Sequence, residues 1–431
     1  MSRVTRTTIL RSAPLPRKVF KVFVELESMY RNMVEQMILC AVRSGIASFT
    51  RLKALKYREL RALYSQLPSH YAYTACQDAS TRAKSFLRLK RRELAEKEYP
   101  EVKSISIWLD DHLWKQRDLT SIEIATHRGW IRVELESHKQ CWRYFNGGWK
   151  LASEAKVKLD KKARRLIIYL TFKKNVKAYK PRGFIPVDVN EDHVAVLVED
   201  RVYLLETGFK DIVLGYYYRR KRVQERYDKL YGVKCRAKKK VLRKLKEKKR
   251  KNDLRWKLAN IIVKVVKEQQ YAIALEKLGR NPAREMINHI RDDQLRHRIY
   301  QACFRGVQRA VEEKAREHSV PVVYVNPKNT SKLCPIHNAL IIYDNNSRVG
   351  RCSFGGELWH RDIVACNNLL FRACLGDGSY APRLGRSPVD GSFVPLSSTA
   401  THEPTLIQCE VWTRWKSLAT TNKHKLMRMS I

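Results

Sequence analysis

At 431 residues the chain is longer than one ordinary domain, and its 44% hydrophobic content is enough to bury real cores. Lysine and arginine number 86 against 43 acids, a formal charge of +43, which points to a polyanionic partner, nucleic acid first. No apolar run approaches the ~18 residues of a spanning helix. The opening "MSRVTRTTIL" lacks the apolar core of a secretory signal, so membrane and secreted classes are set aside. Ten cysteines fall without a disulfide-like cadence. That fits small core residues in a reducing cytoplasm, at the nucleoid.

Residues 3–10, "RVTRTTIL", alternate and are β-branched, which predicts a strand. Residues 16–96 turn helical, with apolar groups at three- and four-residue spacing in "VFVELESMYRNMVEQMILCAV". From 103 to 178 strands return: "SISIWL", "GWIRVEL", then "AKVKLD" and "RRLIIYLTF", whose polar join predicts a hairpin. A helical block, 16–96, is thus inserted into a β-rich module, 1–15 and 97–178. "GFIPVDVNEDHVAVLV" at 183–198 opens another region with an apolar strand ending in Asp188. Residues 219–257 carry twenty Lys or Arg against four acids, with scattered Val and Leu that predict helices in a hairpin. Further on, "YAIALEKL" reads as a buried strand ending in Glu276, and "PVVYVNP" as another strand. The Gly-, Ser- and Pro-rich stretch 376–431 predicts an irregular tail.

Three carboxylates stand at the ends of regular elements: Asp188, Glu276 and Asp362, the last opening an amphipathic helix in "HRDIVACNNLL". Gathered at one edge of an α/β sheet, they suit magnesium or manganese, hard ions that take oxygen ligands and activate water for phosphodiester cleavage. The plainer reading is that Asp362 complements its helix dipole, Asp188 sits in a turn and Glu276 pairs with Lys277. Upstream, Cys334 and His337 have the spacing of half a zinc site, and Cys352 lies fifteen residues on. The fourth position of a C-x-x-C falls on Gly355, and His360 is the alternative donor. Two loop residues and a core cysteine are the competing interpretation. Arg219, Arg220, Lys221, Arg222, Lys238, Lys239, Lys240, Arg243, Lys244 and Arg255 are candidate phosphate contacts, with Arg88, Lys90, Arg91 and Arg92 beside them. Tyr216, Tyr217, Tyr218 and Trp256 are interleaved where bases could stack. A solvated helix face is the ordinary alternative for such a run.

The linked stretches "VNPKNTSKLCPIH" and "GRCSFGGELWHRDIVACNNLL" resemble the TnpB (OrfB) family of transposon-encoded proteins, related to the type V CRISPR nucleases. "VDVNEDHVAVLV" is similar to the family's first RuvC segment, "IALEKL" to its second and "HRDIVACNNLL" to its third. The resemblance implies a multidomain α/β protein. An RNase H-like RuvC domain would cover 183–330 and 356–375, interrupted by a zinc-knuckle insertion at 331–355. The β-rich module would be a barrel-like wedge, and 16–96 its recognition block. Asp188, Glu276 and Asp362 would be the catalytic magnesium ligands, and Cys334, His337 and Cys352 would hold zinc. The implied activity is RNA-guided cleavage of double-stranded DNA, with guide RNA from the transposon end and a short flanking motif read by protein. A guided DNA-binding regulator without cleavage and a strand-transfer transposase are the alternatives.

Overall fold

The computed structural model describes residues 2–376 and Thr405–Ile407, apart from Arg117, Lys234, Arg280, Asn281, His289, Cys303, Asn345 and Asn346. The chain forms two compact units, Arg3–Asn175 and Val176–Ile431, the latter with Met1–Ser2. No helix among the described residues is long and apolar enough to cross a membrane.

The first unit opens with β1 (Ser2–Ser12), then α1 (Arg17–Arg43), α2 (Phe49–Leu63) and α3 (His70–Lys90). After them come β2 (Ile107–Leu109), β3 (Trp114–Lys115), β4 (Ser121–Thr126), β5 (Gly129–Glu136), α4 (Lys139–Phe145), β6 (Lys150–Asp160) and β7 (Arg165–Val176). The strands form one sheet in the order β2-β6-β7-β1-β5-β4-β3, with β6 and β7 joined as the expected hairpin. Helical spacing puts Phe23, Leu26, Tyr30, Met33, Met37 and Ile38 on the buried face of α1. They share a single core with Ile107, Leu109, Ile122, Ile124 and Leu166 of the sheet. The helices and strands therefore make one unit, where the sequence reading treats 16–96 as a block of its own. Buried Tyr71 ties α3 to the sheet by donating its hydroxyl to Ala125 O at 2.6 Å.

The second unit contains β8 (Phe184–Val189), β9 (His193–Val198), β10 (Arg201–Glu206), α5 (Phe209–Tyr231), α6 (Arg236–Lys244) and α7 (Glu247–Glu268). It continues with β11 (Ala272–Glu276), α8 (Pro282–Ile287), α9 (Asp293–Ala302), α10 (Phe304–Glu317) and β12 (Val322–Val325). β13 (Ile341–Tyr343), β14 (Val349–Cys352), β15 (Leu358–His360), α11 (Arg361–Leu375) and β16 (Thr405–Ile407) complete it. The large sheet runs β12-β11-β8-β9-β10-β16. β8, β9 and β10 form an antiparallel meander, while β11 lies parallel to β8 and β12 parallel to β11. Alternation along β9 divides the two faces. Val194 and Val196 meet Ile262, Val263 and Val311 of α7 and α10, whereas Ala195 and Leu197 meet Ile363 and Cys366 of α11.

Two expectations change. The basic run 219–257 folds into parts of three helices rather than a hairpin, with α5 ending at Gly232, whose φ of +74° favours glycine. The predicted irregular tail, 376–431, lies outside the described residues except for Gly376 and Thr405–Ile407. The latter is a strand, because β10 offers it a free parallel edge.

Phe23 is fully buried, so Phe23→Ala is expected to destabilise the first unit by about 3–5 kcal/mol. A lower urea midpoint with an unchanged slope would show this; a midpoint within error of the wild type would mean the α1 core face carries little stability.

Candidate catalytic and metal-binding sites

Asp188 is the last residue but one of β8, and Glu276 ends β11. In the parallel register Val187 faces Leu275, so one step on the two acids stand side by side at the carboxyl ends of their strands. Both strands are buried along their apolar stretches, which suits central parallel strands and carries the acids inward with them. Asp362 is the second residue of α11 and only 1% exposed. Its helix packs across the meander through Ile363, Val364 and Cys366. The side chain of Asn190 joins the acids, donating to Asp188 Oδ2 at 2.9 Å and to Asp362 Oδ1 at 3.3 Å.

The three carboxylates differ in electrostatics. Burial, with Asp362 beside it, pushes Asp188 up to about 6. Burial and Asp188 push Glu276 up to about 7. Burial opposes ionisation of Asp362 as well, but His193 Nε2 at 2.9 Å and Arg348 Nη1 at 2.7 Å from its Oδ2 hold it down at about 2. Thr330 donates its hydroxyl to Glu276 Oε1 at 2.8 Å. Buried Asn368 fixes that loop by donating to Thr330 O and Leu333 O, each at 2.8 Å. Arg298 grips the β8–β9 turn through a two-bond pair with Glu191, 2.8 Å each.

The second cluster lies at the small sheet β13-β14-β15 that leads into α11, with Cys352 on β14 and Cys334, His337 and Glu357 in loops beside it. His337 Nδ1 is 3.8 Å from Cys334 Sγ and 3.6 Å from Cys352 Sγ. Tetrahedral zinc, with Zn–S of about 2.3 Å and Zn–N of about 2.0 Å, would separate such donors by about 3.6 Å. The fourth candidate donor is Glu357. Ligand atoms of all four residues lie within 4.8 Å of one another. Glu357 Oε2 is buried, makes no hydrogen bond and sits 3.4 Å from His337 Nδ1. Gly355 makes room for it, since a Cβ there would stand 2.2 Å from both Glu357 Oε1 and His337 Cε1. His360, the other candidate for this place, is used elsewhere: its Nδ1 accepts from Asp362 N and caps α11.

Residues 304–369 match the model of the Cas12f1-like, TNB domain, and residues 26–125 match the Uncharacterized protein MJ0013 family. The TnpB-like protein MJ0751 of Methanocaldococcus jannaschii is 26% identical over 54% of this chain and 82% of its own. Uncharacterized protein MJ0857 of the same organism is 26% identical over 52% of this chain and 89% of its own. The Cas12f1–sgRNA–target DNA complex has a chain of similar fold, with TM-score 0.57, 16% identity and coverage of 82% and 83% of the two chains. The mini-RNA-guided endonuclease Cas_phi3 gives 0.50 at 10% identity, over 88% and 94%. The chain is a TnpB-like relative of the type V effectors.

In this TnpB-like chain the basic candidates divide by environment. Arg219, Lys221, Arg222, Lys239, Lys240, Arg243 and Lys244 are exposed, as are Arg88, Lys90, Arg91 and Arg92. Lys238 is 9% exposed and paired with Asp228 and Val233 O, so its ammonium is committed to the fold. Arg220 pairs with Glu247, and Arg255 donates to Asn252. Tyr216 is buried beside Val213, a packing role rather than a stacking platform. Sequence reasoning passes over Asn190, His193, Thr330, Arg348 and Glu357. Asn190, two residues past Asp188 in the turn, was the most findable, while Arg348 and Glu357 reach their partners only through the small sheet.

The pKa directions set a pH dependence. Asp188 and Glu276 retain protons in the fold that the unfolded chain has released, so they make stability fall as pH rises between about 4 and 7. Asp362 acts oppositely, adding stability above about pH 4 that is lost as pH falls toward 2. In metal-free buffer the melting temperature should therefore drop from pH 5 to pH 8. Asp188→Asn should flatten that slope and gain about 1–2 kcal/mol at pH 8. Superimposable pH profiles for the two proteins would mean that the acids do not repel.

Proposed function

We propose that this protein is a metal-dependent, RNA-guided DNA endonuclease, with Asp188, Glu276 and Asp362 as its catalytic carboxylates. The observation that carries the proposal is the sheet order β10-β9-β8-β11-β12, an RNase H-like arrangement. It sets one acid on the first strand, one on the fourth and one on the closing helix. The donors fit a divalent ion: all oxygen, and two of them driven toward neutrality by burial and mutual repulsion. Bound there, magnesium or manganese would activate water and stabilise the leaving oxygen of a phosphodiester. Asn190 holds Asp188 and Asp362 in one orientation, and Thr330 aims Glu276. Arg348, half exposed, neutralises Asp362 until a cation replaces it. The exposed bases of α5 and α6 track phosphates of a guide RNA, whose pairing with the target reads sequence. The relatives support this reading, since one solved neighbour is a complex with guide RNA and target DNA and another is termed an RNA-guided endonuclease.

The protein purified from its host should carry one discrete RNA and cut DNA matched to it in magnesium. Asp188→Ala and Asp362→Ala should each lower cutting by about a thousandfold or more while RNA stays bound. Cutting that survives both changes removes the carboxylates from the chemistry. A guided binding protein without cleavage is the second reading, favoured by the Arg348–Asp362 ion pair that a metal must displace. Full target occupancy without nicking in magnesium or manganese would select it.

The small sheet would hold zinc through Cys334, His337, Cys352 and Glu357. Elemental analysis should find one zinc per chain. Glu357→Gln should weaken retention by about tenfold or more, whereas equal zinc content in the two proteins would exclude Glu357 as a ligand.

A further inference from the structure

We propose that a cavity beside Glu276 is a phosphate-binding pocket built on Arg372 and Lys277. It measures about 510 Å³ and lies at the carboxyl ends of β11 and β12, within the ~300–1,000 Å³ of small-molecule sites. In open α/β sheets ligands gather at that end of the strands. Lys277 directly follows Glu276, and its N donates to Val325 O at 2.8 Å, so the pocket begins where the acid's strand ends. Val325, Pro327 and Ala373 give it apolar walls, and Asn326 adds a polar residue on the β12 side. Its charged lining residues, Lys277 and Arg372, are both basic.

Arg372 carries the inference. It lies in the last turn of α11 and is only 2% exposed, yet it makes no ion pair among the described residues. Its Nη1 donates to Asn326 O, while its Nε is buried without a hydrogen-bond partner. A guanidinium offers five donors, and leaving a buried one unmatched is costly. Burial lowers the pKa of Arg372, and Glu276 is the acid that opposes this. That acid is itself raised to about 7, so near neutral pH it is a weak counter-charge. The ordinary reading is that Arg372 complements the dipole of its helix. An exposed arginine would do that as well, so the dipole does not account for burial beside a cavity. A phosphate oxygen would take the spare donor and balance the guanidinium, whose fork matches phosphate geometry. Lys277, which is exposed, would add a point charge at the rim. Two sources share this chemistry: a phosphate of the strand presented to the acids, which rests on the nuclease reading, and free phosphate, which does not.

Broadening of the phosphorus NMR resonance of inorganic phosphate by the full chain, in EDTA, tests the pocket without reading cleavage. Saturable binding is expected, weakened about tenfold or more in Arg372→Met and in Lys277→Met. Lys239→Gln, on α6 and outside the cavity, should bind as the wild type does. Lys277 is exposed, so its variant decides the matter even where Arg372→Met does not fold. No saturable binding by the wild type, or equal binding by Lys277→Met, would overturn the proposal. A single neutral methylphosphonate beside the cut then separates the sources. If the strand supplies the phosphate, it should raise KM about tenfold in the wild type and have no further effect in Lys277→Met. Phosphate binding without that interference, or in a protein that does not cut, would assign the pocket to free phosphate, so failure of the nuclease reading leaves the pocket standing.

Discussion

Bringing buried carboxylates together is the constraint around which the second unit is organised. Two unit negative charges about 5 Å apart repel by about 3 kcal/mol at an effective dielectric near 20. The parallel register of β8 and β11 makes that cost unavoidable for Asp188 and Glu276, because the same pairing that buries Val187 and Leu275 carries the acids with them. Burial and mutual repulsion raise Asp188 to about 6 and Glu276 to about 7, while His193 and Arg348 hold Asp362 down. In the proposed function, a cation held by these acids would relieve that repulsion.

The small sheet is coupled to this centre through covalent chain as well as contact. β15 runs into α11 without a break, and His360 at the junction caps the helix that presents Asp362. Arg361 N donates to Arg348 O at 2.8 Å, so the backbone that positions the arginine is tied to the backbone that positions the acid. Cys352 ends β14 and pairs across to Ile341, which places one donor of the Cys–His–Glu cluster on the same strand that follows Arg348. An ion in that cluster would fix the strand, and with it the distance between Arg348 and Asp362. This gives a physical reason for a metal-ligand motif to lie directly before a carboxylate in sequence.

Much of this was legible in the chain itself. Strand-end acids at 188 and 276 and a helix-start acid at 362 stand out because burial, period and charge change together at those points. What was not legible depended on tertiary reach. Glu357 is one of 43 acids and has no distinctive local spacing. Its place beside His337 follows from Gly355 leaving space there and from the β14–β15 pairing that turns the chain back. The break of α5 at Gly232 was visible as a glycine. The second break, at Lys246 with φ of +57°, carries no such mark and is set by packing of α7 through Leu254 and Leu258. The two-residue strand β3 and the seven-residue helix α4 escaped because their apolar runs are too brief to show a period.

The acids of the basic run decide which cations are structural and which are free. Asp228 draws in Lys238, and Glu247 draws in Lys251 and Arg220, so three of the positive charges are used to fold the segment. Lys251 is 4% exposed and also donates to Gln301 of α9 at 2.8 Å, which anchors α7 to the helix that grips the β8–β9 turn. Removing one partner from such a pair leaves an unmatched buried charge, which costs more than losing an exposed ion pair. Arg219, Lys221, Arg222, Lys239, Lys240, Arg243 and Lys244 remain outside these structural pairs with Asp228 and Glu247, apart from the loose 3.9 Å approach of Lys221 to Glu225. The sparse acids therefore do more than dilute the charge. They sort one lysine- and arginine-rich stretch into a scaffold tied to the carboxylate centre and a surface able to exchange its counterions for phosphates.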